Sequence, residues 1–292
     1  MAIAQNISDR LWQVIGGVQQ TRAPLPFLNT AQGKGRVIAV AAQKGGVGKT
    51  TTAVNLAVAL AQTHNLRVLL VDLDNQGHVA SSLRSHLRTT AIQTVSQVLL
   101  APEPDLLQAA LPTAIDGLHI TGADKHLGQA EAQLAGRIGR EMLLQRALRS
   151  VRQQYDAIVL DCPPNLGLLT LNALMAADHL LIPCDLSVLS LEGVDDLMNT
   201  IGQLEMTFGK APKVLGLLHT RVDKRNLKQN ATIRRAVAQR YQGLVLQSEI
   251  AVNTALSGAQ LSGQSIFHAA ADSTGARDYA ALAAEVFAKV FA

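Results

Sequence analysis

Aromatic residues are scarce in this 292-residue chain: one Trp, three Tyr and five Phe, 3% in all. That scarcity argues against a surface built to stack unpaired bases. Cysteine is nearly absent, with Cys162 and Cys184 the only two thiols and no Cys-x-x-Cys pair. A disulfide framework and a zinc or iron–sulfur centre are thereby excluded. Both thiols are expected as small buried side chains in a reducing cytoplasm. No apolar run reaches the roughly 20 residues that cross a bilayer. No N-terminal apolar segment followed by a small-residue cleavage site is visible either. Charged residues are only 16% of the chain, yet no stretch reads as low complexity. The 48% apolar content is enough to bury one large core.

What the sequence has is alternation. Short apolar runs predict strands near 36–42, 67–72, 117–121, 156–161, 179–184 and 212–218. Helical spacing predicts helices near 49–63, 126–153, 166–176, 190–207, 226–241 and 275–291. This order implies an α/β fold, a doubly wound, mostly parallel sheet with helices on both faces. Residues 1–35 stand apart. Ile3, Ile7, Leu11, Val14, Ile15 and Val18 recur at helical spacing, so 3–20 reads as an amphipathic helix. The stretch 21–35 then reads as a linker, leaving 36–292 as one domain.

Three motifs follow predicted strands. The first is Lys44-Gly45-Gly46-Val47-Gly48-Lys49-Thr50-Thr51, between the strand Val37–Ala42 and a helix. Its glycines let backbone N–H groups converge on phosphate oxygens, and the helix N-terminus adds partial positive charge. Lys49 is the residue expected on the β- and γ-phosphates, and Thr50 offers a hydroxyl to Mg2+. The second is Val71-Asp72-Leu73-Asp74-Asn75-Gln76-Gly77, two carboxylates at a strand end. The third is Leu160-Asp161-Cys162-Pro163-Pro164, an aspartate ending another apolar strand, which suits Mg2+ binding.

The first motif departs from the common phosphate-loop pattern: Gln43 stands where a glycine is usual, and Lys44 follows it. K-G-G-x-G-K-[TS] resembles the deviant Walker A motif of the ParA/MinD ATPases, with Lys44 at their signature lysine. The second motif resembles that family's D-x-D-P-Q-G, with Asn75 in place of proline. The third, continued to Leu171-Asn172-Ala173-Leu174, resembles its D-x-P-P-x-x-x-x-L-T-x-N-A-L. The resemblance covers about 36–291 and is nearer to ParA than to MinD. It implies that Lys44 reaches the phosphates of a second subunit, so that ATP binding and homodimer formation are one event. It also implies that Asp74 positions the attacking water, and that Asp161 and Thr50, supported by Asp72, serve Mg2+. The I-P-R-N-x-R pattern common in relatives is replaced here by Ile250-Ala251-Val252-Asn253-Thr254-Ala255.

Charge is uneven. Between Lys210 and Arg240 nine basic residues face one acid, a local +8 in a chain whose net charge is +4. Arg221, Lys224, Arg225, Lys228, Arg234 and Arg235 are the expected contacts to double-stranded DNA, without sequence preference. The resemblance thus implies a DNA-partition ATPase for a chromosome or plasmid, cytoplasmic and nucleoid-associated. Its hydrolysis is expected to be slow until a ParB-type partner and DNA stimulate it. The alternative is a MinD-like membrane-cycling or other cargo-positioning ATPase. The C-terminal stretch 281–292 carries one Lys and one Glu, so no membrane contact is expected of it.

Overall fold

The structure, a computed structural model, describes residues 35–292 apart from 89–92, 123 and 224. The helix expected at 3–20 and nearly all of its linker lie outside the described residues.

Eight strands form one sheet: β1 (Arg36–Val40), β2 (Val68–Asp72), β3 (Ala110–Pro112), β4 (Leu118–Thr121), β5 (Ala157–Asp161), β6 (His179–Asp185), β7 (Lys213–Val222) and β8 (Val245–Ala251). Their order is β3-β4-β2-β5-β1-β6-β7-β8. Among the described residues only β3 runs antiparallel, on β4 at one edge. The doubly wound parallel sheet is thus present. β3 and β8 were not expected, because β3 has three residues and β8 has several half-exposed positions.

The central strands are apolar throughout because both of their faces are covered. Val37 and Ala39 of β1, Leu69 and Val71 of β2 and Ile158 and Leu160 of β5 join one core. Ile38 and Val40, Val68 and Leu70, and Ala157 and Val159 join the other. Each strand therefore feeds two cores by simple alternation. The second core is closed by α1 (Lys49–Thr63), which is buried along most of its length. It is also closed by the last helix (Thr274–Val290), which buries Tyr279, Leu282, Ala283, Val286 and Val290. The apolar face of this C-terminal helix is therefore spent on the protein's own interior. Among the described residues no helix is long and apolar enough to cross a membrane.

One expected helix is corrected. Residues 126–153 form helices Leu127–Leu134, Leu143–Ala147 and Val151–Gln154 with a 3-10 turn at Arg140–Met142. The first helix ends at Leu134, turns follow over 135–139 and 148–150, and Gly139 at the start of the 3-10 turn has a φ of +71° that no helix accommodates. Leu127, Leu134, Leu143, Leu144, Ala147, Leu148 and Val151 all reach the same core, so the periodicity survives the break.

The order places β1 between β5 and β6, with the chain leaving it to either side. A crevice opens at the C-terminal ends of strands at such a switch point. In register, Val40 pairs with Asp161, and Asp161 with Asp72. The three motifs are brought together there.

Candidate active site

The loop after β1 is shaped by two glycines in the left-handed region, Gly46 (φ +75°) and Gly48 (φ +85°). Gly48 caps α1, and the N–H of Thr52 donates to its carbonyl at 2.8 Å. Three loop carbonyls are tied by donors. Lys49 Nζ donates to Lys44 O (3.0 Å), Arg221 Nη1 to Gly46 O (3.0 Å) and Thr220 Oγ1 to Val47 O (2.8 Å). In a trans peptide the following N–H points opposite to its carbonyl. Holding these oxygens therefore fixes the N–H groups of Gly45, Val47 and Gly48, as an anion cradle requires.

Lys49 is buried, with 7% of its surface exposed. Burial pushes its ammonium below the ordinary lysine range, opposed by Asp161, Cys162 and Asp74 nearby. Asp161 is wholly buried, and neither of its carboxylate oxygens has a hydrogen-bond partner. Burial first, then the charge of Asp72, pushes it well above the usual carboxylate range. The Thr50 hydroxyl lies close enough to offset part of that push without forming a well-aligned hydrogen bond. A buried carboxylate without donors, next to a hydroxyl and a lysine, fits a divalent cation better than any internal partner in the described structure. Asp161 and Thr50 are the groups suited to hold Mg2+, which would neutralise charge on the phosphate oxygens.

Asp72 and Asp74 differ. Asp72 accepts from the backbone N–H of Asp74 (3.0 Å) through Oδ1 and of Val79 (3.1 Å) through Oδ2. Its first task is therefore to fold the turn that presents Asp74. Burial raises its carboxyl to about 7. Asp74 Oδ1 accepts from Gln76 N–H (3.1 Å), and its residue is 9% exposed at the crevice.

Lys44 lies within its own chain. Its Nζ donates to Asp185 Oδ2 (2.8 Å) and Oδ1 (3.1 Å) and to Ser187 Oγ (3.0 Å). Asp185 ends β6, so a carboxylate at a strand terminus was the available signal, the same one that marks Asp72 and Asp161.

Beside the loop is a cavity of about 320 Å3, lined by Gly46, Gly48, Thr51, Arg221, Ile250–Asn253, Leu256 and Tyr279 among others. Its lining is more polar than apolar, with Thr51, Asn253 and Gln260 beside Leu256 and Val252, which suits the hydrogen-bonding edges of a nucleoside next to bound phosphates. The unusual stretch Ile250–Asn253 forms part of this wall. Arg221 has a left-handed backbone (φ +53°), and the β7–β8 register shifts between His219 and Val222. That irregularity turns its guanidinium onto the loop.

Three of the other basic residues are paired, Arg234 and Arg240 with acids from elsewhere in the chain and Arg225 with the segment's own Asp223. Arg234 pairs with Glu249, Arg240 with Asp195 (2.7 Å) and Arg225 with Asp223 (2.8 Å). The Arg225 side chain stays 87% exposed. Arg235 is exposed with no carboxylate partner among the described residues. Lys224 and the side chain of Lys228 lie outside what is described. Both thiols are buried. Cys184 meets His219 Nδ1 at 3.7 Å, but burial drives the thiol up to about 12 and the imidazole down to about 4. This pair is not poised as a nucleophile and base.

Comparison with known proteins agrees with the geometry. A family model described as an AAA domain matches residues 35–213. The sporulation initiation inhibitor protein Soj of Bacillus subtilis is 37% identical, over 87% of this chain and 99% of its own. The chromosome partitioning protein ParA of Myxococcus xanthus is 38% identical, over 86% of this chain and 88% of its own. A solved structure from Mycobacterium smegmatis, named cobyrinic acid a,c-diamide synthase, carries an ATP analogue and magnesium. It matches with a TM-score of 0.73 at 36% identity, over 88% of this chain and 96% of that one.

Proposed function

The chain belongs to the ParA/MinD family of P-loop ATPases and binds ATP with Mg2+, and on that premise we propose that it is a partition ATPase whose ATP-bound dimer holds DNA. The observation that carries this reading is the pair of lysines on one loop. Lys49 is buried beside Asp161 and donates to the carbonyl of Lys44, while the Lys44 ammonium is paired with Asp185 at the end of β6. One lysine suffices for the phosphates of a bound nucleotide, which leaves Lys44 for those of a second copy. Two ammonium groups would then meet the charge that develops on the γ-phosphate. Asp74, presented by the Asp72 turn, orients the attacking water, and a ParB-type partner completes the site and speeds hydrolysis.

DNA contact falls to Lys224, Arg225, Lys228, Arg234 and Arg235, without base reading. Arg225 and Arg235 are the exposed members of that set in the described structure. The reading follows the relatives named Soj and ParA, each matched over most of its length. A MinD-like membrane cycle is disfavoured by the C-terminal helix, whose apolar face is buried.

The test is duplex DNA binding with ADP, with ATP and with a non-hydrolysable analogue, across a salt series. The analogue should give binding and ADP little. Four phosphate contacts per complex would weaken binding roughly 100-fold between about 50 and 200 mM salt. Equal binding with ADP and analogue, or affinity indifferent to salt, overturns the DNA part of the proposal.

A further inference from the structure

Lys44 is the loop residue whose side chain is most fully engaged away from the phosphate crevice. An ammonium has three donors. Here they meet both oxygens of Asp185 and the hydroxyl of Ser187. The cradle is itself braced. Ser187 Oγ donates to Asp185 Oδ1 (2.6 Å), and Ser190 Oγ donates to the same oxygen. Ser187 also caps the helix Val188–Phe208 by accepting from Ser190 N–H. That helix presses close to the loop: a Cβ added at Gly193 would lie 3.6 Å from Gln43 Cβ and 3.9 Å from Lys44 N. Neither Lys44 nor Asp185 is freely solvated, with side chains 30% and 23% exposed.

We propose that Asp185, with Ser187 and Ser190, is a positioning cradle that holds Lys44 in its own chain until nucleotide closes two copies on each other. The proposal rests on the reading of Lys44 as a residue that acts on a second subunit. Its logic is competition for one ammonium group. While the cradle is filled, no donor of Lys44 is left for a phosphate. The second lysine links the cradle to nucleotide. Lys49 Nζ donates to the carbonyl of Lys44, so a triphosphate that draws the Lys49 ammonium onto itself removes that anchor from residue 44. Loss of Lys44 does not strand a charge, because Asp185 keeps two hydroxyl donors beside a helix N-terminus that favours an anion. The cradle therefore sets how much nucleotide-driven closure is needed before the dimer forms. Asp185 is a positioning residue, since it acts through Lys44.

The test uses the full chain, Asp185→Asn, and a second variant, Ser187→Ala with Ser190→Ala. The hold is read first without any dimer, as the rate at which an amine-acylating reagent modifies Lys44 in nucleotide-free protein, followed by mass spectrometry. Removing a partly exposed ion pair should raise that rate about fivefold. The dimerisation constant with Mg2+ and a slowly hydrolysed ATP analogue should rise about 25-fold, because each dimer releases two lysines. Binding of ADP should be unchanged, which also shows that the variants fold. On a Lys44→Ala background, Asp185→Asn should add nothing. Unchanged Lys44 reactivity, or the same dimer gain without Lys44, overturns the cradle. Raised reactivity in variants that stay monomeric with analogue, as wild type also would, shows the hold but defeats the two-subunit reading beneath it.

Discussion

Asp161→Asn should make the nucleotide-free protein more stable while removing its response to Mg2+ and ATP. Asp161 is fully buried with neither carboxylate oxygen bonded, and Asp72 adds a second negative charge beside it. Leaving a buried polar group unsatisfied costs about 1–3 kcal/mol, and more for a charge. A neutral amide of the same shape stays unbonded but carries no charge, so removing the charge should recover about 2 kcal/mol. For a domain of this size that corresponds to a Tm rise of about 4–8 °C. The gain depends on pH. The folded-state carboxyl titrates well above its unfolded value, so between the two the native protein retains a proton that the unfolded chain has lost. Wild-type stability consequently falls as pH rises through that window, and the advantage of Asp161→Asn grows in step. At a pH low enough to protonate the carboxyl in both states the advantage disappears. Thermal unfolding of both proteins from pH 5 to pH 8 reads this directly. With saturating Mg2+ and ATP the order should narrow or reverse, since ligand at ~100 times Kd adds about 2.7 kcal/mol to whichever protein binds it. A variant less stable than wild type at pH 8, or an advantage that grows as pH falls, refutes the buried unpaired charge.

Other substitutions separate the roles at the crevice. Lys49→Ala should weaken ATP binding more than about tenfold in a titration with fluorescent nucleotide, by loss of charge-assisted bonds to phosphate. Asp74→Ala should bind ATP normally but hydrolyse it roughly 100-fold more slowly, a loss of the size expected for a group that handles the water's proton. Normal turnover by that variant would remove Asp74 from the mechanism. Arg221→Ala should weaken ATP and ADP about fivefold, the worth of roughly one bond to the loop. Its DNA affinity at saturating nucleotide should be unchanged, and a selective loss of DNA binding would return Arg221 to the DNA surface.

The phosphate loop, the two aspartate strand ends and the alternation of strands with helices were legible in the sequence because each is local. A glycine run between an apolar strand and a helix needs no distant partner to be recognised. The pairing of Val40, Asp161 and Asp72 then follows from the sheet order. What was hidden is what the fold gathers from several strand ends. Thr220 and Arg221 reach the loop from β7, Asp185 at the end of β6 and Ser187 at the start of the following helix hold Lys44, and Ile250–Asn253 shape the cavity wall from the end of β8 and the turn after it. No linear spacing joins these residues. The +8 of the basic segment is counted along the chain, whereas the fold brings Asp195 and Glu249 to it from outside. The broken helix at 126–153 shows a third limit: apolar spacing reports which side chains reach the core, while the turns that divide the helix carrying them leave that spacing intact.

The molar mass of the purified protein in solution, measured by light scattering with Mg2+ and either ADP or a slowly hydrolysed ATP analogue, tests the two-lysine site most directly. The analogue should double the mass and ADP should leave it at that of one chain. A single-chain mass under saturating analogue would contradict a site completed by the lysine of a second copy.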